Sequence, residues 1–339
     1  MPDRLPAPGR HTASAPDQPP RPTPAPPTSA DTSSLASHTS TAPDLPPQPR
    51  PPQSRFTLRA SSGPVAQDST RPGADASAPA GAPHSAVQLR DVLAELGIRA
   101  GAPLIVHASL RGTGVAPSLV RDCLLARSGA GGTLVVPAFT PENSDTSRAY
   151  RASTEGMTER EKAAFRASMP PFAPDSTPCP STGALAECVR TTPGAVRSTH
   201  PQTSFAGLGP RAAELLGRHD PHCHLGERSP LAPLYAADAQ ILLLRVGFEV
   251  CSAFHLAEYR TAPPAPRRTY RCVVGERGNW ISYEDLVLDD SDFGAIGERL
   301  PRELVREREW AGKTVTLCDM RAVVDHAVDQ MASYRPGLT

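Results

Sequence analysis

Three short, almost entirely apolar runs constrain the fold of this chain more than any other feature of its sequence. They occupy residues 104–106, 133–136 and 241–246, and a helical pattern over 118–126 separates the first two. Strands that are apolar at nearly every position are typical of a sheet covered on both faces. The sequence therefore predicts an α/β (α+β) fold in which helices flank a mixed, largely parallel central sheet.

Apolar spacing and turn residues mark the other elements. A first helix is expected after Ser85, which stands in an N-cap position, and it should end at Gly97. Apolar segments on either side of residues 275–278 predict an added antiparallel hairpin. Residues 138–180 are irregular and polar, which predicts a long excursion near a site. Further helices are expected over 158–167, 181–191, 210–217, 229–237 and 320–333, and the hairpin strands over 271–274 and 280–283.

The first 85 residues differ in composition from the rest of the chain. They hold 20 of the 40 prolines and almost no aliphatic run. Low hydrophobicity leaves the entropy cost of ordering the backbone without compensation. Residues 1–85 are therefore predicted to be a disordered Pro/Ala/Ser-rich extension, and residues 86–339 the folded domain. A translation start farther downstream, or a polyproline segment that docks to a partner, is the alternative.

Charge and cysteine content exclude several classes of protein. Residues 86–339 carry 28 basic and 29 acidic side chains, without the basic excess that binding to nucleic acid needs. No run reaches the length of a membrane span, and no apolar signal segment opens the chain. The seven cysteines form no C-x-x-C pair, so neither a disulfide framework nor a cysteine-rich zinc module is expected. We expect a soluble, cytoplasmic protein that binds neither nucleic acid nor membrane.

A loop at residues 197–209 concentrates hydroxyl groups, glycines and a His-Pro step. The proline holds the residue before it extended, so His200 would project from a rigid turn beside the hydroxyl of Ser198. Such a loop suits a carbonyl or phosphate chain. A purely structural hydrogen-bonded loop is the alternative.

Four side chains able to bind a metal fall within residues 220–224. Zinc needs three or four ligands that converge in a tetrahedron, and neighbouring loop residues rarely converge without ligands from elsewhere. A zinc site is therefore the less favoured interpretation of this segment.

His255 and Glu258 follow the third apolar run at helical spacing. A His and a Glu three residues apart share one face of a helix, where the carboxylate can orient the imidazole. Open α/β sheets place ligand chemistry just past the carboxyl ends of strands. The pair is a candidate catalytic site, with a structural histidine as the alternative.

Six blocks, taken in order, resemble the aminoglycoside 3-N-acetyltransferase family. They are residues 104–110, 132–137, 172–178, 197–206, 226–231 and the His-Leu-Ala-Glu sequence at 255–258. The resemblance is collinear over residues 86–335. Six blocks in the right order are far more specific than any one of them.

The resemblance implies a fold distinct from the common GNAT acetyltransferases, acetyl-coenzyme A as co-substrate and no metal. His255 matches the essential histidine, the general base that takes a proton from the attacking amine. Glu258 matches the family carboxylate that orients the histidine and supports charge around it and the cationic acceptor. The positions that match segments holding coenzyme A are His107, Ala108, Ser109, Leu110, Arg111, Thr113, Arg197, Ser198, His200 and Ser204.

The activity implied is transfer of acetyl to the 3-amino group of a 2-deoxystreptamine aminoglycoside, which would confer resistance. Two alternatives stay open: the same transfer to another amine, such as a biosynthetic intermediate, and a coenzyme A-binding protein without turnover. A homodimer is also considered.

Several positions depart from the family pattern or bear on the acceptor. Arg245 stands where a small residue is usual, and Cys251 replaces a polar residue near the histidine, where it is expected to be inert packing. A local acidic cleft would attract a polycation despite the neutral overall charge. Its candidate members are Glu142, Asp145, Glu249 and Glu258.

Overall fold

A computed structural model describes residues 86–335 of the chain. The predicted disordered extension, the capping role expected of Ser85 and the last four residues lie outside the described residues.

A seven-stranded sheet and a separate two-stranded hairpin form the β structure of residues 86–335. In the large sheet the strand order is β3-β4-β2-β1-β5-β9-β8, and β6 pairs with β7 in the hairpin. The strands are β1 Pro103–Ala108, β2 Thr133–Pro137, β3 Val196–Arg197, β4 Phe205–Leu208, β5 Gln240–Leu244, β6 Arg267–Val273, β7 Trp280–Leu286, β8 Val305–Trp310 and β9 Lys313–Asp319.

The large sheet is mixed, as expected, but its parallel part is smaller than the sequence predicted. Only β2, β1 and β5 run parallel. The outer strands pair antiparallel with their neighbours on both sides of this centre. One side is completed by the β8–β9 hairpin, in which Ala311 and Gly312 both take positive φ, the backbone of a tight primed turn. Ala-Gly is a weak signal for such a turn, so this edge was not predicted.

Helices lie on both faces of the sheet within residues 86–335. They are α1 Ala86–Leu96, α2 Pro117–Ser128, α3 Arg148–Ser153, α4 Glu159–Ser168, α5 Ala184–Arg190, α6 Ala212–Leu216, α7 Leu231–Ala236, α8 Ala253–Arg260, α9 Phe293–Glu298 and α10 Met320–Tyr334. The segments predicted to be helical overlap α1, α2, α4, α5, α6, α7 and α10, α8 carries the His255–Glu258 pair, and α3 and α9 were not predicted. No helix in the part of the chain that the structure describes is long and apolar enough to cross a membrane.

Alternate residues of each central strand enter different cores, which explains the apolar runs. Leu104 and Val106 belong to the core beneath α1, α2 and α5. Ile105 belongs to the opposite core, beneath α7, α8, α9 and α10. All three side chains are at most 1% exposed. At about 25 cal/mol per Å² of apolar surface, burial on both faces of these strands is the main source of stability in such a fold.

Candidate active site

A cavity of about 890 Å³ opens at the carboxyl ends of the three parallel strands. Its wall includes Ala108 at the end of β1, Pro137 at the end of β2 and Val246 just past β5. The chain leaves β1 in one direction to reach β2, and β5 lies on the other side of β1. Such a reversal of strand order opens a crevice in which α/β proteins bind ligands.

His255 and Glu258 form a hydrogen-bonded pair at one wall of this cavity. Both lie on α8, one turn apart, and His255 Nδ1 is 2.6 Å from Glu258 Oε2. The His255 side chain is 14% exposed and lines the cavity, whereas the Glu258 side chain is 1% exposed behind it. Within residues 86–335, no hydrogen-bond partner occupies His255 Nε2. One imidazole nitrogen is thus held by the carboxylate, and the other is free to meet a ligand.

Packing and further hydrogen bonds fix the orientation of this pair. The Phe293 ring lies 4.7 Å from the His255 ring, centroid to centroid. The second oxygen of Glu258, Oε1, accepts hydrogen bonds from the backbone N–H of Asp289 at 2.9 Å and from Arg335 Nη1 at 2.6 Å. The buried carboxylate therefore has partners on both oxygens and carries no unsatisfied charge.

The loop after β1, predicted to hold coenzyme A, contributes a second wall of the cavity. Ala108, Ser109, Leu110 and Arg111 all line the cavity. Thr113 does not: its hydroxyl donates to the Leu110 carbonyl at 2.9 Å and accepts from the Val115 N–H at 3.2 Å. Thr113 thus holds the turn of this loop.

His107 also lines the cavity and is kept neutral. Its residue is 6% exposed, and burial, aided by the nearby His255, lowers the pKa of His107 from 6.5 to about 4. Its Nε2 has no hydrogen-bond partner among the residues described. A neutral imidazole here adds no fixed charge to the cavity.

A family model described as aminoglycoside 3-N-acetyltransferase matches residues 105–332. The chain belongs to the aminoglycoside 3-N-acetyltransferase family. The resemblance carried by the six sequence blocks is confirmed, and so is the expectation of an enzyme of the acetyltransferase class.

Two relatives in this family match this chain over about four fifths of their own length. The prophage-derived aminoglycoside N(3')-acetyltransferase-like protein YokD of Bacillus subtilis is 29% identical over 226 residues, which are 65% of this chain and 82% of the relative. Aminoglycoside N(3)-acetyltransferase VIII of Streptomyces fradiae is 33% identical over 236 residues, covering 67% of this chain and 79% of the relative.

Solved structures of family members have the same fold. The crystal structure of the Bacillus subtilis protein superposes with a TM-score of 0.67 at 27% identity, covering 74% of this chain and all of that one. AAC-IIIb in binary complex with CoASH gives a TM-score of 0.63 at 25% identity, over 75% and 98% of the two chains. AAC-VIa bound to sisomicin gives 0.61 at 26% identity, over 74% and 98%.

Arg197 and Ser204, predicted from the family resemblance to hold coenzyme A, do not line the cavity. Arg197 donates from Nε to Ser204 Oγ at 3.0 Å, from Nη2 to the Ala138 carbonyl at 2.7 Å and from Nη1 to the carbonyls of Pro174 and Thr177. Ser204 itself donates to Ala138. These side chains hold the 138–180 excursion against the end of β3 and the residue before β4.

Ser198 and His200 are likewise occupied inside the fold. Ser198 Oγ accepts from the Phe205 N–H at 2.9 Å and lies 3.0 Å from His219 Nδ1. His200 is fully buried, and its Nδ1 accepts from the N–H groups of Gln202 and Thr203. The structural alternative considered for this loop fits its geometry.

The segment considered for zinc, residues 220–224, packs in the same buried group of histidines. His224 Nδ1 lies 2.9 Å from Asp285 Oδ2, and the His222 ring stacks on Tyr283. Burial lowers the pKa values of His219, to about 4, and of His224. In the described part of the chain no group of three or more His, Cys, Asp or Glu is placed to hold a metal ion.

Of the acidic residues considered for the acceptor, Glu249 alone lines the cavity. Asp145 is paired with Arg271 at 3.0 Å on the hairpin side. Asp290 lines the cavity too and was not singled out from the sequence.

Cys251 is fully buried and outside the lining, and burial raises the pKa of its thiol to about 12, so it is inert packing as expected.

Two further features were missed. The segment 181–186, which includes the first residues of α5, also lines the cavity. Arg245, the departure from the family pattern, has φ of 63° and donates to the carbonyls of Ser109 at 2.9 Å and Arg111 at 2.8 Å. These hydrogen bonds therefore fix the conformation of the loop after β1. A charged residue within an apolar run was the only signal in the sequence.

Proposed function

We propose that this chain transfers the acetyl group of acetyl-coenzyme A to the 3-amino group of a 2-deoxystreptamine aminoglycoside. The observation that carries the proposal is the His255–Glu258 pair, with Nε2 of the imidazole unpartnered among residues 86–335 at the wall of the cavity. The resulting loss of a cationic amine would weaken the antibiotic's hold on ribosomal RNA and confer resistance.

The reaction follows from the two nitrogens of His255. The acceptor amine attacks the thioester carbonyl carbon while Nε2 takes its proton, and Glu258 stabilises the imidazolium through Nδ1–H. Collapse of the tetrahedral intermediate breaks the C–S bond, and the thiolate of coenzyme A takes the proton back from Nε2. A positioned base of this kind contributes about 10² to 10⁴-fold in rate.

The β1 side of the cavity is assigned to coenzyme A. Ser109 offers its hydroxyl, Leu110 its backbone N–H and the exposed Arg111 its guanidinium to the pantetheine amides and phosphates. Residues 181–186 line the same cavity. The coenzyme A complex of AAC-IIIb supports this use of the shared fold.

The opposite side is assigned to the acceptor. Glu249 and Asp290 line the cavity, with Asp290 also 3.1 Å from Arg148 Nη1, and two carboxylates suit an acceptor with several ammonium groups. The sisomicin complex of AAC-VIa supports an aminoglycoside as acceptor. Glu258 is too deeply buried to contact the acceptor, so its role is confined to His255.

Release of the coenzyme A thiol from acetyl-coenzyme A tests the proposal. Aminoglycosides with and without an accessible 3-amine are offered one at a time, with acetyl-coenzyme A affinity measured in parallel. Turnover confined to acceptors with that amine is expected. Turnover on a different amine instead would favour a biosynthetic acceptor, and binding without turnover on any amine would favour a coenzyme A-binding protein.

The boundaries of the acetyltransferase domain at 86–339, a cytoplasmic location and a homodimer stay predictions. Size-exclusion chromatography with light scattering, on the full chain and on a chain lacking residues 1–80, tests the domain boundaries and the homodimer.

A further inference from the structure

Arg335 shares the carboxylate of Glu258 with the candidate base. Its Nη1 donates to Glu258 Oε1 at 2.6 Å, while Glu258 Oε2 faces His255 Nδ1 at the same distance. The arginine follows the last turn of α10, and 77 positions separate it from Glu258 in sequence. The Glu258 side chain is 1% exposed, so water does not compete for either oxygen.

Arg335 is itself anchored on three sides. Its Nε donates to Asp292 Oδ2 at 2.7 Å, and its Nη2 donates to the Asp289 carbonyl at 2.7 Å. The N–H of that same Asp289 donates to Glu258 Oε1 at 2.9 Å. The guanidinium also lies over the Phe293 ring, 5.9 Å from its centroid, and this ring contacts His255. The arginine thus contacts both groups that orient the imidazole.

We propose that Arg335 is a positioning residue for the acetyl transfer, which rests on the proposed role of His255 as base. Its guanidinium pairs with the buried Glu258 carboxylate, with Nη1 2.6 Å from Oε1. Its hydrogen bond fixes the rotation of that carboxylate, so that Oε2 always accepts from Nδ1–H. Nε2 is then the unprotonated nitrogen, and it faces the cavity.

Arg335→Ala should lower kcat by ~10- to 100-fold, because a carboxylate free to rotate no longer holds the imidazole in its reactive geometry. The KM for acetyl-coenzyme A should stay within twofold. The acid limb of the kcat/KM profile should move to higher pH, because loss of a positive charge lets the His255–Glu258 pair hold its proton more tightly. The charged and titratable groups around His255 and its partners are His107, His224, Glu249, Glu258, Asp289, Asp290, Asp292 and Arg335.

Arg335→Lys separates charge from geometry. Lysine keeps the positive charge, so the acid limb should stay near its wild-type position. Its single ammonium cannot serve Glu258 and Asp292 together, so kcat should fall between those of wild type and Arg335→Ala. Arg299→Ala is the matched control: this exposed arginine lies over Tyr334 and does not contact Glu258, and its removal should change none of these quantities.

The test compares these variants of the full chain by melting temperature, kcat, KM, pH profile and ¹⁵N NMR of labelled histidine. The resonances of His255 are those that His255→Asn removes. Altered ring-nitrogen shifts at His255 in Arg335→Ala, with wild-type shifts in Arg299→Ala, support positioning even if no acceptor is turned over, which would refute the proposed function alone. A folded Arg335→Ala with wild-type kcat, acid limb and ring shifts overturns the proposal. If that variant does not fold, wild-type kcat in Arg335→Lys overturns it.

Discussion

His255 Nδ1 and Glu258 Oε2 lie 2.6 Å apart, with the imidazole at the cavity wall and the carboxylate buried behind it. Because both residues lie on α8, one turn of helix sets their separation. The carboxylate thus binds one nitrogen of the imidazole ring, and the other nitrogen is left for a ligand in the cavity. This division fits the task of a general base, which must present one nitrogen to substrate while the other is stabilised.

Glu258→Gln should keep the shape of the site and lower kcat by about 10²-fold or more, because an amide does not stabilise the imidazolium as a carboxylate does. The KM for acetyl-coenzyme A should hardly change. Steady-state kinetics of thiol release measure both. Glu298→Gln, an exposed change on α9, serves as control. Equal kcat values for the two variants would rule out a catalytic role for the carboxylate.

Substitutions of Arg111 and of Arg197 should affect different quantities: the first the KM for acetyl-coenzyme A, the second the stability of the fold. Arg111→Ala removes an exposed guanidinium at the cavity, so the KM for acetyl-coenzyme A should rise by about 5- to 10-fold while the melting temperature holds. Arg197→Lys leaves buried carbonyl acceptors without a donor. It should lower the free energy of unfolding by about 2 kcal/mol or more without raising that KM. Thermal unfolding and substrate titrations check the pair. A raised KM in Arg197→Lys would restore this residue to the coenzyme A site.

Two glycines of α9 should differ sharply in their tolerance of alanine. A Cβ at Gly297 would lie 2.2 Å from Phe248 Cγ, whereas a Cβ at Gly294 would meet nothing within 4 Å. Gly297→Ala should therefore destabilise the protein by about 1–3 kcal/mol. Gly294→Ala should stabilise it by about 0.5–1 kcal/mol, because it removes backbone freedom from the unfolded chain. Urea unfolding measures both, and similar effects of the two changes would contradict this packing of α9.

Acid should destabilise the protein through its buried histidines. Burial lowers the pKa of His219 from 6.5 to about 4, and it also lowers the pKa values of His200 and His224. The unfolded chain takes up protons below about pH 6.5 that the folded chain does not bind. The contribution of these neutral histidines to the free energy of unfolding is therefore fully present above that pH and is lost as the pH falls toward 4. For a shift of the size at His219 the loss is about 3 kcal/mol.

Urea midpoints at pH 7.5, 6.0, 5.0 and 4.5 measure this loss. His219→Gln removes one of the titrating groups and should flatten the dependence. A wild-type midpoint that is constant over this range would show that these histidines titrate alike in the folded and unfolded chains.

The sequence predicted what local pattern encodes. The apolar runs at β1, β2 and β5 reflect burial on both faces, and sequence pattern located most helices. The three-residue spacing of His255 and Glu258 indicated that the two side chains share one helical face. The loop at residues 108–111, which the family resemblance assigned to coenzyme A, lines the cavity, and its contact with coenzyme A stays a prediction. These features depend on residues close together in the chain.

Features that depend on distant contacts were not predicted. The antiparallel edge at β8 and β9 has an atypical turn, so nothing local indicated it. Arg197 has a hydroxyl-rich neighbourhood typical of a ligand loop, yet its hydrogen bonds go to carbonyls of the excursion. Arg335 meets Glu258 across 77 positions of sequence, and a lone arginine after a helix gives no hint of such a partner.

The central claim is that His255 is the base for acetyl transfer, and the most direct measurement is thiol release by His255→Asn beside its affinity for acetyl-coenzyme A. The account predicts that kcat falls by about 10²-fold or more, while acetyl-coenzyme A binding and melting temperature stay near their wild-type values. A folded His255→Asn enzyme that acetylates at the wild-type rate would contradict it.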